Sequence, residues 1–127
     1  MSKMLKSIST QNAPSVVGPY SQAIETNGLV FLSGQIAKTP AGESITESIE
    51  AQTKQVMENL KGVLAEAGLD FSNVVRTEIF ITNMAEYGVV NQVYESFMKK
   101  PYPARFTVGV KELPAGFNVE IAMIATR

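Results

Sequence analysis

Apolar residues recur at two periods along the chain, and the change of period divides it into elements. "AIET" and "LVFLSGQI" flank Asn27-Gly28, the preferred pair for a tight turn between two strands, which predicts a β-hairpin. "KSIS" ahead of it predicts a short first strand, and "NAPSVVGPY", Asn12 to Tyr20, an ordered loop set by its prolines and glycine. From Ile49 the spacing turns helical: Val56, Leu60, Val63 and Ala67 recur near one face, and Gly68 ends the run. "SITE", Ser44 to Glu47, has the form of a capping box, so the expected helix spans Thr46 to Ala67. "NVVRTEIFIT" returns to alternation, with Val75, Thr77, Ile79 and Ile81 expected on one face and Arg76 and Glu78 on the other. "NMAE", Asn83 to Glu86, opens a second helix in a similar way, with Tyr87, Val90, Tyr94 and Phe97 along one side. "RFTVGVKEL" and "FNVEIAMIA", joined by "PAG", supply the last two strands.

The order is three strands, helix, strand, helix, two strands. It predicts an α+β domain: a mixed sheet of about six strands with two helices packed on one face. The last strand is apolar on both faces, with Val119, Ile121, Met123 and Ala125 on one, and Ala122 and Ile124 beside Glu120 on the other. "LVFL" is apolar on both sides too. A sheet with one wet face should alternate more cleanly. The pattern favours an oligomer in which a second copy covers the free face.

Composition narrows the chemistry. At 127 residues and 45% hydrophobic content the chain is one domain, residues 1–127, able to bury its own core. A net charge of −1 with scattered Lys and Arg argues against nucleic-acid binding. The apolar runs fall far short of the ~20 residues that span a bilayer, and the N-terminus lacks the apolar segment of a signal peptide, so a cytoplasmic protein is expected. There is no His and no Cys. Ser-His-Asp and Cys-His nucleophiles cannot be built, and zinc or copper loses its usual ligands. An enzyme here works with carboxylates, hydroxyls, Arg, Lys, amides, backbone groups and water.

Two charged residues stand out. Arg105 follows Pro101 and Pro103, which stiffen its approach, and opens an apolar strand. It is either a carboxylate receptor, binding through two parallel hydrogen bonds, or a surface charge paired with a nearby Glu. Glu120 lies inside "NVEIAMIA". It is a carboxylate whose surroundings raise its pKa and fit it to move protons, a solvated strand end, or the ion-pair partner of Arg105. Gly34 in "SGQI" marks a bulge, a close backbone approach or plain strand packing. Tyr20 in "GPYSQA" closes a pocket or anchors its loop. Asn91 interrupts the apolar side of the second helix, to reach a ligand or to satisfy the core. No phosphate-loop or dinucleotide fingerprint is present.

"NAPSVVGPYSQA", "VFLSGQI", "NLKGVLAEAGLDFSNVVRTEIFITNM", "VNQVYESF" and "YPARFTVGVKELPAGFNVEIAMIA" together resemble the RidA/YjgF family of reactive intermediate deaminases, also called L-PSP, nearly end to end. P-A-R leading into an apolar strand, a short loop and V-E-I is the most specific part. The resemblance implies a chorismate-mutase-like fold and a homotrimer with a cleft between each pair of neighbouring subunits. It implies hydrolysis of 2-iminobutanoate and 2-iminopropanoate to 2-keto acids and ammonia, the imines coming from enamines released by pyridoxal-phosphate enzymes, with no cofactor and no metal. By position, Arg105 would hold the substrate carboxylate and Glu120 would orient the attacking water. Tyr20, Ser33, Gly34 and Asn91 would line the cleft. Thr107 stands where active members often carry Cys and would contact the substrate in its place through the backbone carbonyl; it and Phe106, bulkier than the family's usual residue, bear on substrate range. The family also implies alternatives: a keto acid sensor or translation/transcription modulator and, with less support, an endoribonuclease.

Overall fold

The computed structural model describes residues 4–127. The chain runs β1 (Lys6–Ile8), β2 (Ala23–Thr26), β3 (Leu29–Gln35), α1 (Ile49–Glu66), β4 (Val74–Ile81), α2 (Tyr87–Phe97), β5 (Ala104–Gly109) and β6 (Val119–Thr126). Single turns of 3₁₀ helix precede β4, α2 and β6. The strands form one sheet in the order β1-β2-β3-β6-β4-β5. Every neighbouring pair is antiparallel except β4 and β5, which run parallel because α2 carries the chain back between them. This is the α+β architecture that the element order predicts, with a mixed sheet and both helices on one face.

The hairpin turn follows from its dipeptide. Asn27 and Gly28 both have positive φ, 53° and 78°, the left-handed pair that matches the twist of two antiparallel strands. The core forms where the stripe of α1 meets the inward residues of β6 and β3. Val56, Met57, Leu60, Val63 and Leu64 pack with Val30, Val119, Ile121 and Met123, all at most 1% exposed. Each such side chain contributes about 1.5–3 kcal/mol by leaving water, and truncating Leu60 to Ala would cost about 2–5 kcal/mol. The amide of buried Gln52 on α1 makes two bonds of 2.9 Å to Asn118, one to its backbone N–H and one to its side chain. Asn118 also donates to Thr82 Oγ1 at 3.0 Å. This clamp fixes the start of β6, two residues before Glu120.

Three local expectations are corrected. The first helix begins at Ile49, not Thr46, and its N-cap is Ser48, whose Oγ accepts from Ala51 N at 3.0 Å. Ser44 pairs instead with Lys38, and Ile45 N donates to Ala37 O, so the backbone of "SITE" is committed to extended pairing. On β4 the register shifts between Val74 and Arg76. Val74 turns inward and Val75 is exposed, while Thr77, Ile79 and Ile81 hold the inner face as expected. On α2 the buried residues are Val90, Val93 and Tyr94; Tyr87 is exposed and Phe97 only half-buried.

The other face of the sheet has no covering layer among the described residues. Register puts Phe31, Ile124, Ala122, Phe80, Phe106 and Val108 on it. Phe31 and Val108 are each 41% exposed. Phe80 and Phe106 meet edge to face at 6.0 Å, and the Arg76 guanidinium lies 5.2 Å over the Phe106 ring. Among the described residues no helix is long and apolar enough to cross a membrane.

Candidate functional site

The candidate residues fall into two clusters. The first gathers around Arg105, near the start of β5. Register sets Arg105 opposite Thr77, on the helix-covered face, where α2 crosses above the edge strand. Its guanidinium carbon lies 5.1 Å from the Tyr94 ring and 5.7 Å from the Tyr87 ring. Its Nη2 donates to the Tyr87 hydroxyl at 2.8 Å. Tyr94 is held in turn, its hydroxyl 2.8 Å from Thr77 Oγ1. Burial pushes the Tyr94 phenol up, while the bond to Thr77 and the positive charge of Arg105 oppose that shift. Asn91, Tyr94, Glu95, Tyr102, Pro103 and Arg105 line a cleft of about 290 Å³ beside the guanidinium. Thr107 lies two residues along the same strand face, and its buried Oγ1 has no hydrogen-bond partner among the described residues.

The second cluster gathers around Glu120. Opposite Phe80 in register, Glu120 belongs to the uncovered face. Its carboxylate folds over Gly34, where a Cβ built on the glycine would run into it. The β3–β6 register shifts between Leu32 and Gln35, around Ser33 and Gly34. Gly34 is therefore both a bulge and a close approach. Ser33 Oγ donates to Ser21 O at 2.6 Å, and Ser33 N to Gln22 O at 2.9 Å, tying this bulge to the loop that carries Tyr20. Tyr20 is 50% exposed and its ring packs over Gly18. It borders a hollow of about 520 Å³ with Ser15, Val16 and Ser21, separate from the Arg105 cleft. Burial raises the Glu120 pKa above its ordinary value, with no hydrogen bond or cation among the described residues to offset it.

The two clusters do not meet within one chain. β5 and β6 are separated by β4, about 10 Å apart at ordinary strand spacing, and the two charged residues belong to opposite faces. Among the described residues the ion pairs are Arg76–Glu78 and Arg127–Glu25. Neither candidate joins them, so the ion-pair readings of Arg105 and Glu120 do not hold. No group of three or more Asp and Glu is placed to hold a metal ion among the described residues. Chemically, one cluster is a fixed cation open to a small carboxylate. The other is a proton-accepting carboxylate in partly apolar surroundings.

The family model described as endoribonuclease L-PSP matches residues 10–127. The chain belongs to the RidA/YjgF (L-PSP) family. Among its relatives in that family is the chloroplastic Reactive Intermediate Deaminase A of Arabidopsis thaliana, 44% identical over 94% of the chain, which spans 64% of the plant protein. The 2-iminobutanoate/2-iminopropanoate deaminase of Salmonella typhimurium is 37% identical over 98% of the chain and 99% of its own length. A Lactococcus lactis relative named as putative regulator AldR is 43% identical, with 95% and 97% covered. The crystal structure of the Rid-family protein YyfA from Yersinia pestis, described as of unknown function, superposes with a TM-score of 0.95 at 45% identity, covering 98% of the chain and 100% of that one.

Nothing in the sequence singles out Tyr87, Tyr94, Tyr102 or Ser21 as site residues by residue type alone. A signal was present for the first two. Tyr87, Asn91 and Tyr94 are spaced at i, i+4 and i+7, one face of a helix. Their apolar rings suit a core stripe equally well, and only the placement of Arg105 across from them separates the two roles.

Proposed function

We propose that the chain is a 2-imino acid deaminase, hydrolysing 2-iminobutanoate and 2-iminopropanoate to the 2-keto acids and ammonia. The observation that carries this is Arg105. It is a guanidinium held against two tyrosines at the wall of a cleft, without a carboxylate partner among the described residues. Such a group is a receptor for a small carboxylate.

In this scheme Arg105 grips the substrate carboxylate. The protonated imine carbon is already electrophilic, so water is a sufficient nucleophile. Glu120 takes a proton from that water as its oxygen bonds to C2. The resulting carbinolamine takes that proton from Glu120 onto nitrogen, the C–N bond breaks with its electrons leaving on ammonia, and the hydroxyl gives its proton back to Glu120 as the carbonyl forms. One water is consumed for each imine. Positioning and a tuned carboxylate supply the acceleration. Asn91 and Thr107 belong with the Arg105 half of the cleft, and Tyr20, Ser33 and Gly34 with the Glu120 half.

A single chain keeps these halves apart, so the proposal includes a homotrimer in which the Arg105 half of one subunit faces the Glu120 half of the next. The uncovered apolar sheet face, with Phe31, Ile124 and Val108, supports a covering copy. The regulator name on the Lactococcus relative favours a second reading, in which the same cleft binds a 2-keto acid without turnover.

The test is 2-keto acid release from 2-iminobutanoate generated in situ by a threonine dehydratase. Acceleration over the spontaneous rate by the wild type, lost in Arg105→Ala, is the expected result. A folded wild type that binds 2-oxobutanoate yet gives no acceleration would transfer the cleft to the ligand-sensing role.

A further inference from the structure

The Arg105 guanidinium has one donor already engaged. A guanidinium presents two edges that can each take a carboxylate through a pair of N–H bonds, one formed by Nη1 and Nη2, the other by Nη2 and Nε. Each edge uses a different one of the two N–H bonds on Nη2. The Tyr87 hydroxyl accepts one of these at 2.8 Å. It therefore closes one edge and leaves the other. The rings of Tyr87 and Tyr94 restrict the plane of the same group from 5.7 Å and 5.1 Å. Tyr87 is otherwise an exposed residue at the first turn of α2, outside the buried core. Its ring and hydroxyl are used on Arg105.

We infer that Tyr87 is a positioning residue that holds the Arg105 fork so that only one of its two carboxylate-binding edges faces the substrate. This rests on the deaminase reading above and deepens it. A free Arg side chain carries considerable rotamer entropy, and a carboxylate that could dock on either edge would place its C2 carbon in two positions. Fixing the fork before the ligand arrives removes part of the ordering cost of binding and leaves one register for the imine. Losing the hydroxyl alone would keep the ring, the stacking and the fold while freeing the second edge.

The experiment compares wild type, Tyr87→Phe and Arg105→Ala by calorimetric titration with 2-oxobutanoate, by 2-iminobutanoate turnover, and by NMR of the ¹⁵N/¹³C-labelled arginine guanidinium groups. In the wild type the Tyr87 bond slows rotation about the Nε–Cζ bond, so Arg105 gives separate Nη1 and Nη2 signals. In Tyr87→Phe these merge, the Kd for 2-oxobutanoate rises about five- to tenfold, and kcat falls along with it, since some bound substrate docks on the wrong edge. Arg105→Ala loses binding. Tyr87→Phe with unchanged Kd and unchanged Nη signals, beside a wild type that binds and turns over, would overturn the inference and leave the deaminase intact. A weakened Kd with unchanged signals would make Tyr87 a direct ligand contact and would also overturn it. A wild type that neither binds 2-oxobutanoate nor accelerates hydrolysis would overturn the deaminase reading itself.

Discussion

The Arg105 half and the Glu120 half of the candidate site hold opposite charges by opposite means. Arg105 is made comfortable: two aromatic faces and a phenol hydroxyl surround it, and its charge stays available. Glu120 is made uncomfortable: it lies over a glycine, half-buried, with nothing to offset the loss of water, and its pKa rises. The difference suits the two tasks. A carboxylate receptor should be charged and still at every pH of interest. A group that moves protons should be poised between its two forms. Four tests probe the contrast, in falling order of expected effect.

Removing the cation should cost most. Arg105→Ala is expected to bring 2-iminobutanoate hydrolysis to the spontaneous rate, and Arg105→Lys, which keeps charge but loses the planar fork, to lower kcat/KM by about tenfold or more. A lysine variant as fast as the parent would show that charge alone is enough. Next comes the uncovered sheet face. Ile124→Glu should drive the assembly to single chains and reduce turnover with it, because the halves no longer meet; light scattering beside an activity assay reads both. An unchanged mass would remove the apolar face from the account.

Gly34→Ala is the third. The added methyl meets the flexible end of Glu120, so the side chain swings away and the fold survives. Turnover should fall about tenfold, and the double variant with Glu120→Gln should be no slower than Glu120→Gln alone, the non-additivity expected of residues acting as a unit. Additive losses would separate the two. Mildest is the pH profile. In the proposed scheme Glu120 acts as its carboxylate, and its raised pKa keeps the protonated form present to higher pH than for an ordinary Glu. Enzymatic kcat/KM, corrected for the spontaneous reaction, should therefore fall as pH drops through a value above 4.5, and Glu120→Gln should be slower throughout and lack that limb. An identical limb in the variant would assign it to another group. The same raised pKa means the folded chain holds this proton more tightly than the unfolded one. Ionising Glu120 therefore costs stability as pH rises through that window, and Glu120→Gln should flatten this slope.

Much of the fold is legible in local pattern. Asn27-Gly28, the apolar stripe of α1 and the inner face of β6 each carry their own short-range cause. Ser44 to Glu47 misleads because the capping-box pattern competes with an extended pairing back to Lys38, six residues upstream, and that pairing takes its backbone. Val75 misleads because a one-residue shift in register flips a side chain to the other face, and nothing in "NVVRTE" marks it. For the site, Arg105 and Glu120 stand out because each charge interrupts an apolar strand. The tyrosines do not, since a ring against a cation and a ring in a core share one spacing. That the two charges belong to opposite faces depends on the register of β5 and β6 against β4, and their separation on β4 lying between them, neither of which any short stretch records.

The most direct test of a deaminase built across a subunit boundary is complementation. Arg105→Ala and Glu120→Gln chains, each far less active alone than the wild type, are mixed in equal amounts, unfolded together, refolded and assayed with 2-iminobutanoate. In a trimer whose clefts take Arg105 from one subunit and Glu120 from the next, random assembly restores about one quarter of the sites, and about that fraction of wild-type activity should return. A mixture no more active than its parents would contradict the account.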